Sequence, residues 1–164
     1  MPDTDSLDIR LDDLRGPQIA ALLKRHLDHL YSVTPAGSVY ALDLDRLRLP
    51  EVTFWSGWLG SEVVACAALK DLGGGHGEIK SMHTAAEHRG KGIAARMVAH
   101  VIGEATARGM SRLSLETGQG GHFGAAQHLY RSLGFVETGP FGDYGPDPHS
   151  YFMTRALQRS AGCD

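Results

Sequence analysis

The sequence lacks several features that would point to whole classes of protein. It has only two cysteines in 164 residues, Cys66 in an apolar run and Cys163 beside the last residue, so no disulfide framework is expected and a reducing compartment fits. No apolar stretch approaches the roughly 20 residues of a membrane span. The acidic opening MPDTDSLDIR has no apolar signal-peptide core. We therefore expect a cytoplasmic protein that does not enter a membrane.

An excess of positive charge is also missing. The 16 Lys and Arg against 19 Asp and Glu give a net charge of −3, with no basic block. Sequence-independent nucleic-acid binding needs a stripe of Lys and Arg, so no nucleic-acid partner is expected, whereas a cationic substrate is compatible. The length is that of one domain, which we expect over residues 1–156, with a frayed tail at 157–164.

Hydrophobic periodicity predicts a mixed α/β (α+β) fold with about seven strands and about four helices. The predicted strands are 7–11, 52–59, 62–71, 77–84, 111–116, 135–138 and 150–155, and the predicted helices are 16–31, a short one within 41–49, 92–108 and 123–133. The strands before residue 85 should form an antiparallel first half of the sheet. The strand-helix-strand unit over 78–116 should be a parallel, right-handed crossover.

Two local features resemble ligand sites but are better interpreted as ordinary structure. His26 and His29 lie three apart on the first predicted helix, but no third ligand is near in sequence, so a solvated or rim position is favoured over a metal pair and no metal is expected. The run at 73–75 (GGG) is flanked by strands, with no helix starting there. A hairpin connection is therefore favoured over a phosphate loop.

The segment at 88–94 (HRGKGIA) lies between a strand and the start of a strong helix. Free backbone N–H groups and the helix dipole make such a place an anion site suited to a pyrophosphate. A Walker loop is excluded because GxxxxGK[ST] is absent. The letters begin a GxGxxG/A dinucleotide fingerprint, but several antiparallel-looking strands come first, which disfavours a Rossmann unit. A coenzyme A loop is the third interpretation.

These residues resemble the GNAT (GCN5-related N-acetyltransferase) superfamily. Arg89, Gly92 and Ala94 match its signature R/Q-x-x-G-x-G/A, and 126–135 (AQHLYRSLGF) is similar to its A-x-x-L-Y-x-x-x-G-F helix. The order of predicted elements matches the family fold over nearly the whole chain. The closing stretch GPFGDYGPDPHSYFM resembles a bacterial subgroup related to the YsnE-like proteins. The resemblance implies direct transfer of acetyl from acetyl-CoA to a small-molecule or peptide amine.

The resemblance also implies roles for residues along the cofactor. Backbone groups of Met82, His83 and Thr84 would hold the pantetheine arm and stabilise the oxyanion. Tyr130 would be the general acid that protonates the leaving thiolate. The residues expected to hold the pyrophosphate are Arg89, Gly90, Lys91, Gly92, Ile93 and Ala94. The family often has Asn where this chain has Phe123, which puts one side-chain contact to coenzyme A in doubt.

The general base is open at this stage. Glu78 lies eleven residues before Arg89, the spacing of the glutamate base in the family's histone acetyltransferases. His83 is the second candidate because imidazole titrates near neutral pH, and bulk water is the third. Strand alternation puts Glu78 and His83 on opposite faces unless a bulge intervenes. Cys66 is a poor nucleophile candidate because its apolar setting raises a thiol pKa.

The acceptor pocket is predicted from aromatic and acidic residues. Trp55, Trp58 and Tyr144 are candidates to line it, although the two tryptophans should face opposite sides of a strand and one should be core. Asp143 and Asp147 are candidates to bind a cationic acceptor. A coenzyme A-binding sensor module, an O-acetyltransferase and another acyl donor stay as alternatives. A homodimer is compatible with the sequence.

Overall fold

A computed structural model describes residues 6–38 and 44–158, with every side chain in these ranges except that of His122. Seven strands form one sheet in the order β1-β2-β3-β4-β5-β7-β6. The strands are β1 (Asp8–Leu11), β2 (Val52–Leu59), β3 (Glu62–Asp71), β4 (His76–Thr84), β5 (Arg112–Gly118), β6 (Val136–Thr138) and β7 (Ser150–Ala156). The helices are α1 (Pro17–Val33), α2 (Leu44–Leu47), α3 (Ile93–Ala107) and α4 (Gly124–Ser132), with single 3₁₀ turns at Ala36–Ser38, Ala86–His88 and Gly121–Phe123.

The predicted mixed sheet with an antiparallel first half is confirmed. Strands β1 to β4 form an antiparallel meander, whereas β4 and β5 are parallel and are joined through α3. Gly60 takes the positive φ of 61° that the β2–β3 turn requires. The glycine run connects β3 to β4, and the His76 N–H donates to the Gly73 carbonyl at 3.1 Å. The run is therefore a hairpin connection, as predicted.

Helices cover both faces of the sheet. On one face the buried residues Met97, Val98 and Val101 of α3 join a core that also contains β5 and β7 side chains. On the other face Ile19 and Leu22 of α1 pack in a second core. Full burial of each such side chain contributes about 1.5–3 kcal/mol. Strands β3 and β4 are therefore packed between α3 and α1. Among the described residues, no helix has the length and apolar character needed to cross a membrane.

The two tryptophans of β2 lie on opposite faces, as alternation predicts, but neither reaches the site described below. Trp55 is 4% exposed, lies in the core on the α3 side, and meets the His100 ring edge-on at 5.1 Å between centroids. On the other face, the Trp58 indole N–H donates to the Ser56 hydroxyl at 2.8 Å. Trp55, a candidate for the acceptor pocket, does not line this site, because β3 separates β2 from β4.

The fold extends one residue beyond the predicted domain end. Leu157, which was expected in a frayed tail, is 8% exposed, and its N–H donates to the Ser111 carbonyl at 2.9 Å. Part of the predicted short helix is found as α2, and residues 41–43 of that prediction lie outside the described residues.

Candidate active site

The parallel strands β4 and β5 separate halfway along their length. They pair from His76 opposite Arg112 to Ile79 opposite Leu115, while β4 continues to Thr84 and β5 to Gly118. A cleft of about 520 Å³ opens there. Beyond Ile79, the backbone of β4 on this side has no β5 partner among the described residues. Such groups need a hydrogen-bonding partner when they are covered, and a ligand in the cleft would supply one.

A bulge in β4 brings both predicted base candidates into this cleft. Lys80 pairs with Ala68 and His83 with Cys66, so two β4 residues oppose the single residue Ala67. Ser81, one of these two, has a φ of 53°. The bulge shifts the alternation by one residue. Glu78 and His83 consequently both line the cleft, which is the exception that the alternation argument required.

The cleft wall contains most of the residues predicted to bind the cofactor. It is formed by the second half of β4, the loop into α3, the end of β5 and the inner face of α4. From the predicted set, the lining residues are Glu78, Met82, His83, Thr84, Arg89, Gly90, Gly92, Ile93, Ala94, Tyr130 and Tyr144. Lys91 does not line the cleft, because its Nζ lies 3.2 Å from the His88 Nδ1 at one side of the loop.

The loop before α3 has the geometry of an anion site. Gly90 and Gly92 have φ values of 78° and 80°, and Gly92 is the residue that precedes the helix. A Cβ at either glycine would find no atom within 4 Å, so the side of the loop that faces away from the protein is open. The first N–H groups of α3 have no acceptor within the helix. They are available to an anion at the helix N-terminus.

His83 is paired with His26, which was predicted to occupy a solvated or rim position. The Nδ1 atoms of His26 and His83 lie 3.1 Å apart and their rings are 4.6 Å apart. Burial, then the neighbouring His29 charge, lowers the pKa of His26 to about 4. Burial, then the His26 charge, lowers the pKa of His83 to about 3. Both rings are therefore neutral at pH 7, and His26 belongs to the cleft wall because α1 packs against β4.

Glu78 is engaged by two polar side chains. Its carboxyl is only 3% exposed. The Tyr144 hydroxyl donates to Oε2 at 2.6 Å, and the Lys80 Nζ lies 3.1 Å from the same oxygen. Lys80 also donates to the Tyr144 hydroxyl at 2.9 Å. Tyr144 comes from the long segment between β6 and β7, which folds back over β4. Tyr144 thus reaches the cleft as predicted, whereas Asp143 is exposed and lies outside it.

Glu116 is a cleft residue that the sequence reasoning missed. It lies on β5 one residue past the last pair with β4 and lines the cleft. Burial raises the pKa of its carboxyl to about 7, and Glu78 and Asp147 act in the same direction. Its position in the SLE strand carries no motif. The groups that surround Glu116 come from β4 and the β6–β7 segment, which are distant from it in sequence.

Tyr130 and Cys66 are both buried, and burial raises the pKa of each. Tyr130 is buried in α4 and lines the cleft, and burial raises the pKa of its phenol well above the ordinary value. Its hydroxyl therefore keeps its proton at neutral pH. Cys66 is a free, fully buried thiol whose Sγ lies 3.1 Å from the Ser81 carbonyl, and burial raises its pKa. It is not placed to act as a nucleophile.

Comparison with known proteins agrees with this geometry. The model of the acetyltransferase (GNAT) family matches residues 19–135. The chain belongs to the GNAT family. It is 50% identical over 149 residues to the uncharacterized N-acetyltransferase YsnE of Bacillus subtilis, covering 91% of this chain and 99% of YsnE. It is 42% identical over 149 residues to the uncharacterized N-acetyltransferase YedL of Escherichia coli, covering 91% and 94%.

A solved structure shares the fold of this GNAT member. The Klebsiella pneumoniae protein assigned as an acyl-CoA N-acyltransferase superposes with a TM-score of 0.75 at 27% identity, covering 93% of this chain and 98% of the other. The seven-stranded mixed sheet flanked by helices thus matches the fold of this acyltransferase structure. The family and these relatives support acetyl transfer as the activity class.

Proposed function

We propose that this GNAT member is an acetyl-CoA-dependent N-acetyltransferase that transfers acetyl directly to an amine. One observation carries the proposal. The cleft between the splayed strands β4 and β5 runs to the open glycine loop at the N-terminus of α3. A thioester with a pantetheine arm and a pyrophosphate matches this combination of unpaired strand backbone and anion site in its chemistry.

The donor would lie along the cleft in two parts. The backbone of Met82, His83 and Thr84 would hydrogen-bond the amides of the pantetheine arm on the side that β5 leaves open. The N–H groups around Gly92 and Ile93 would hold the pyrophosphate, because a helix N-terminus favours anions. The resemblance to the family supports this placement. Arg89, which is exposed beside the loop, would add positive charge.

Tyr130 would act as the general acid. When the amine attacks the thioester carbonyl, the coenzyme A thiolate leaves and takes a proton. A buried phenol that stays protonated at neutral pH can donate it, and such proton transfer contributes about 10²–10⁴-fold. Backbone N–H groups of the β4 bulge region would stabilise the oxyanion before the C–S bond breaks.

The amine would enter between β4, β5 and the β6–β7 segment, as a small molecule or a peptide amino group. Of the two bases proposed from the sequence, His83 binds a proton only near pH 3 because it is buried. Glu78 shares its Oε2 with Lys80 and Tyr144. His83 therefore does not meet the need for a base that titrates near neutral pH, and the Oε2 atom of Glu78 is already engaged by these two side chains. We place the reaction in the cytoplasm, where the free thiol of Cys66 would stay reduced.

A thermal shift measurement tests donor binding, with ATP and NAD as controls. A ligand at 100 times its dissociation constant stabilises by about 2.7 kcal/mol, which for a domain of this size raises the midpoint by roughly 5–10 °C. We expect this rise with acetyl-CoA alone. No rise at saturating acetyl-CoA would remove the proposed donor, and a rise without thiol release over a broad amine panel would favour a sensor module that binds coenzyme A without transfer.

A further inference from the structure

We propose that Glu116 is the general base that takes a proton from a cationic amine acceptor in this cleft. This inference rests on the proposed function and adds to it a residue and a substrate class. It replaces Glu78 and His83, the two bases proposed from sequence spacing and residue type, with a side chain on the neighbouring strand.

Glu116 lies on the part of β5 that borders the cleft. Leu115 is the last β5 residue paired with β4, so Glu116 is the first at which the strands part. It pairs across β5 and β7 with Phe152, whose ring contacts that of Tyr144 at 5.4 Å between centroids. The carboxyl therefore lies on the cleft wall beneath the β6–β7 segment, in the same cleft as the Tyr130 hydroxyl.

The charges around this carboxyl favour a cationic acceptor. Glu78 and Lys80 line the cleft with Glu116 and act on its pKa from β4, and Asp147 acts on it from the β6–β7 segment. The side chains of Tyr130, Tyr144 and His149 also line the cleft. The Glu116 carboxylate would attract an alkylammonium and repel an anionic acceptor.

The available protonation states distinguish Glu116 from its neighbours. Its pKa of about 7, raised mainly by burial, lets it exist as a carboxylate and accept a proton near neutral pH. Glu78 is 3% exposed, and its Oε2 already accepts a hydrogen bond from the Tyr144 hydroxyl and lies 3.1 Å from the Lys80 Nζ. We assign to the Glu78–Lys80–Tyr144 group a positioning role, in which it orders the acceptor side of the cleft.

In the proposed step the amine nitrogen loses two protons and the sulfur gains one. The Glu116 carboxylate takes one proton from R–NH₃⁺ and becomes a carboxylic acid. The freed nitrogen lone pair forms the N–C bond, the C–S bond breaks, and the sulfur takes a proton from the Tyr130 hydroxyl. The second proton lost by the nitrogen restores Tyr130, and Glu116 releases its proton to water. The products are the amide, coenzyme A as its thiol and one proton in solution.

The test uses steady-state thiol release from acetyl-CoA with a panel of spermidine, histamine, lysine and a short peptide with a free amino terminus. In the wild type, kcat/KM should rise with pH with an apparent pKa near 7. Glu116→Gln should lower it at least about 100-fold at pH 8 and abolish that titration, while Glu116→Asp should restore part of the rate with the titration intact. Glu137→Gln on exposed β6 is the matched control and should change neither.

The outcomes separate this inference from the proposed function. If the wild type transfers acetyl and Glu116→Gln keeps the near-neutral titration, even at a lower rate, Glu116 is not the base although the function stands. If acetyl-CoA fails to bind the wild type, the function itself fails. Should no amine in the panel react, ¹³C NMR of glutamate-labelled protein decides, because the inference requires a carboxyl resonance that titrates near pH 7 and disappears in Glu116→Gln. A titration near the ordinary value would overturn it.

Discussion

Two Gly→Ala substitutions, one directly before α3 and one inside it, test the backbone conformation of the glycine loop. Gly92 precedes α3 with a φ of 80°, whereas Gly103 lies inside the same helix without a positive φ. A Cβ at either position meets no atom within 4 Å. The two Gly→Ala changes therefore differ only in backbone conformation, and we predict opposite effects on stability.

The magnitudes follow from the backbone preferences. A left-handed residue with a side chain costs about 1–2 kcal/mol, so Gly92→Ala should lower the unfolding midpoint by about 2–8 °C. Glycine inside a helix is worse than alanine by about 0.5–1 kcal/mol, so Gly103→Ala should raise the midpoint by about 1–4 °C. Gly92→Ala should also reduce the stabilisation by acetyl-CoA, since its methyl group occupies the open side of the loop.

Thermal unfolding followed by circular dichroism, with and without acetyl-CoA, measures both effects in the same samples. The reasoning would be refuted if Gly92→Ala were as stable as Gly103→Ala. It would also be refuted in its functional part if the acetyl-CoA-induced shift were equal in the two variants, because the loop would then not contact the cofactor.

Three further changes test the buried polar groups. Lys80→Met leaves the Glu78 carboxyl buried without its cation and should lower the free energy of unfolding in urea by about 3–5 kcal/mol. The double variant with Glu78→Gln should recover most of this loss. An equal loss in the single and double variants would contradict the pairing. Tyr130→Phe should lower kcat about 100-fold without weakening acetyl-CoA binding in calorimetry, and an unchanged kcat would remove its role as acid. Because the pKa of Glu116 rises from 4.5 to about 7 on folding, the folded chain binds more protons in this window, so the free energy of unfolding should fall as pH rises through it, by up to about 3 kcal/mol. Glu116→Gln should flatten that dependence in urea unfolding from pH 4 to 8, and a parallel curve would refute the raised pKa.

Elements with a strong period were predictable from the sequence alone. The bounds of β2 and β3 match the predicted strands. The bounds of α3 lie within a residue or two of the predicted helix. The candidate anion loop was likewise predictable, because glycines at 90 and 92 directly before a helix are a local pattern that indicates an anion site. These features depend on neighbours in the chain, which a sequence displays directly.

The chemistry of the site depended on contacts that the sequence does not display. The β4 bulge at Ser81 brings Glu78 and His83 into the same cleft. No local pattern in the sequence predicts this bulge. Trp55 was assigned to the acceptor pocket by residue type, but the sheet order places it two strands away from the cleft. The pKa of Glu116 arises from burial and from groups on β4 and the β6–β7 segment, which only the fold assembles.

The most direct test of the central claim is transfer of label from ¹³C-acetyl-CoA to an amine, followed by mass spectrometry of the acceptor and of the protein. We predict a labelled amide whose formation needs the enzyme and equals the thiol released, with no labelled protein intermediate on Cys66. Binding of acetyl-CoA without any labelled amide over a broad panel, or label appearing on the protein before the amine, would contradict the account of direct N-acetyl transfer.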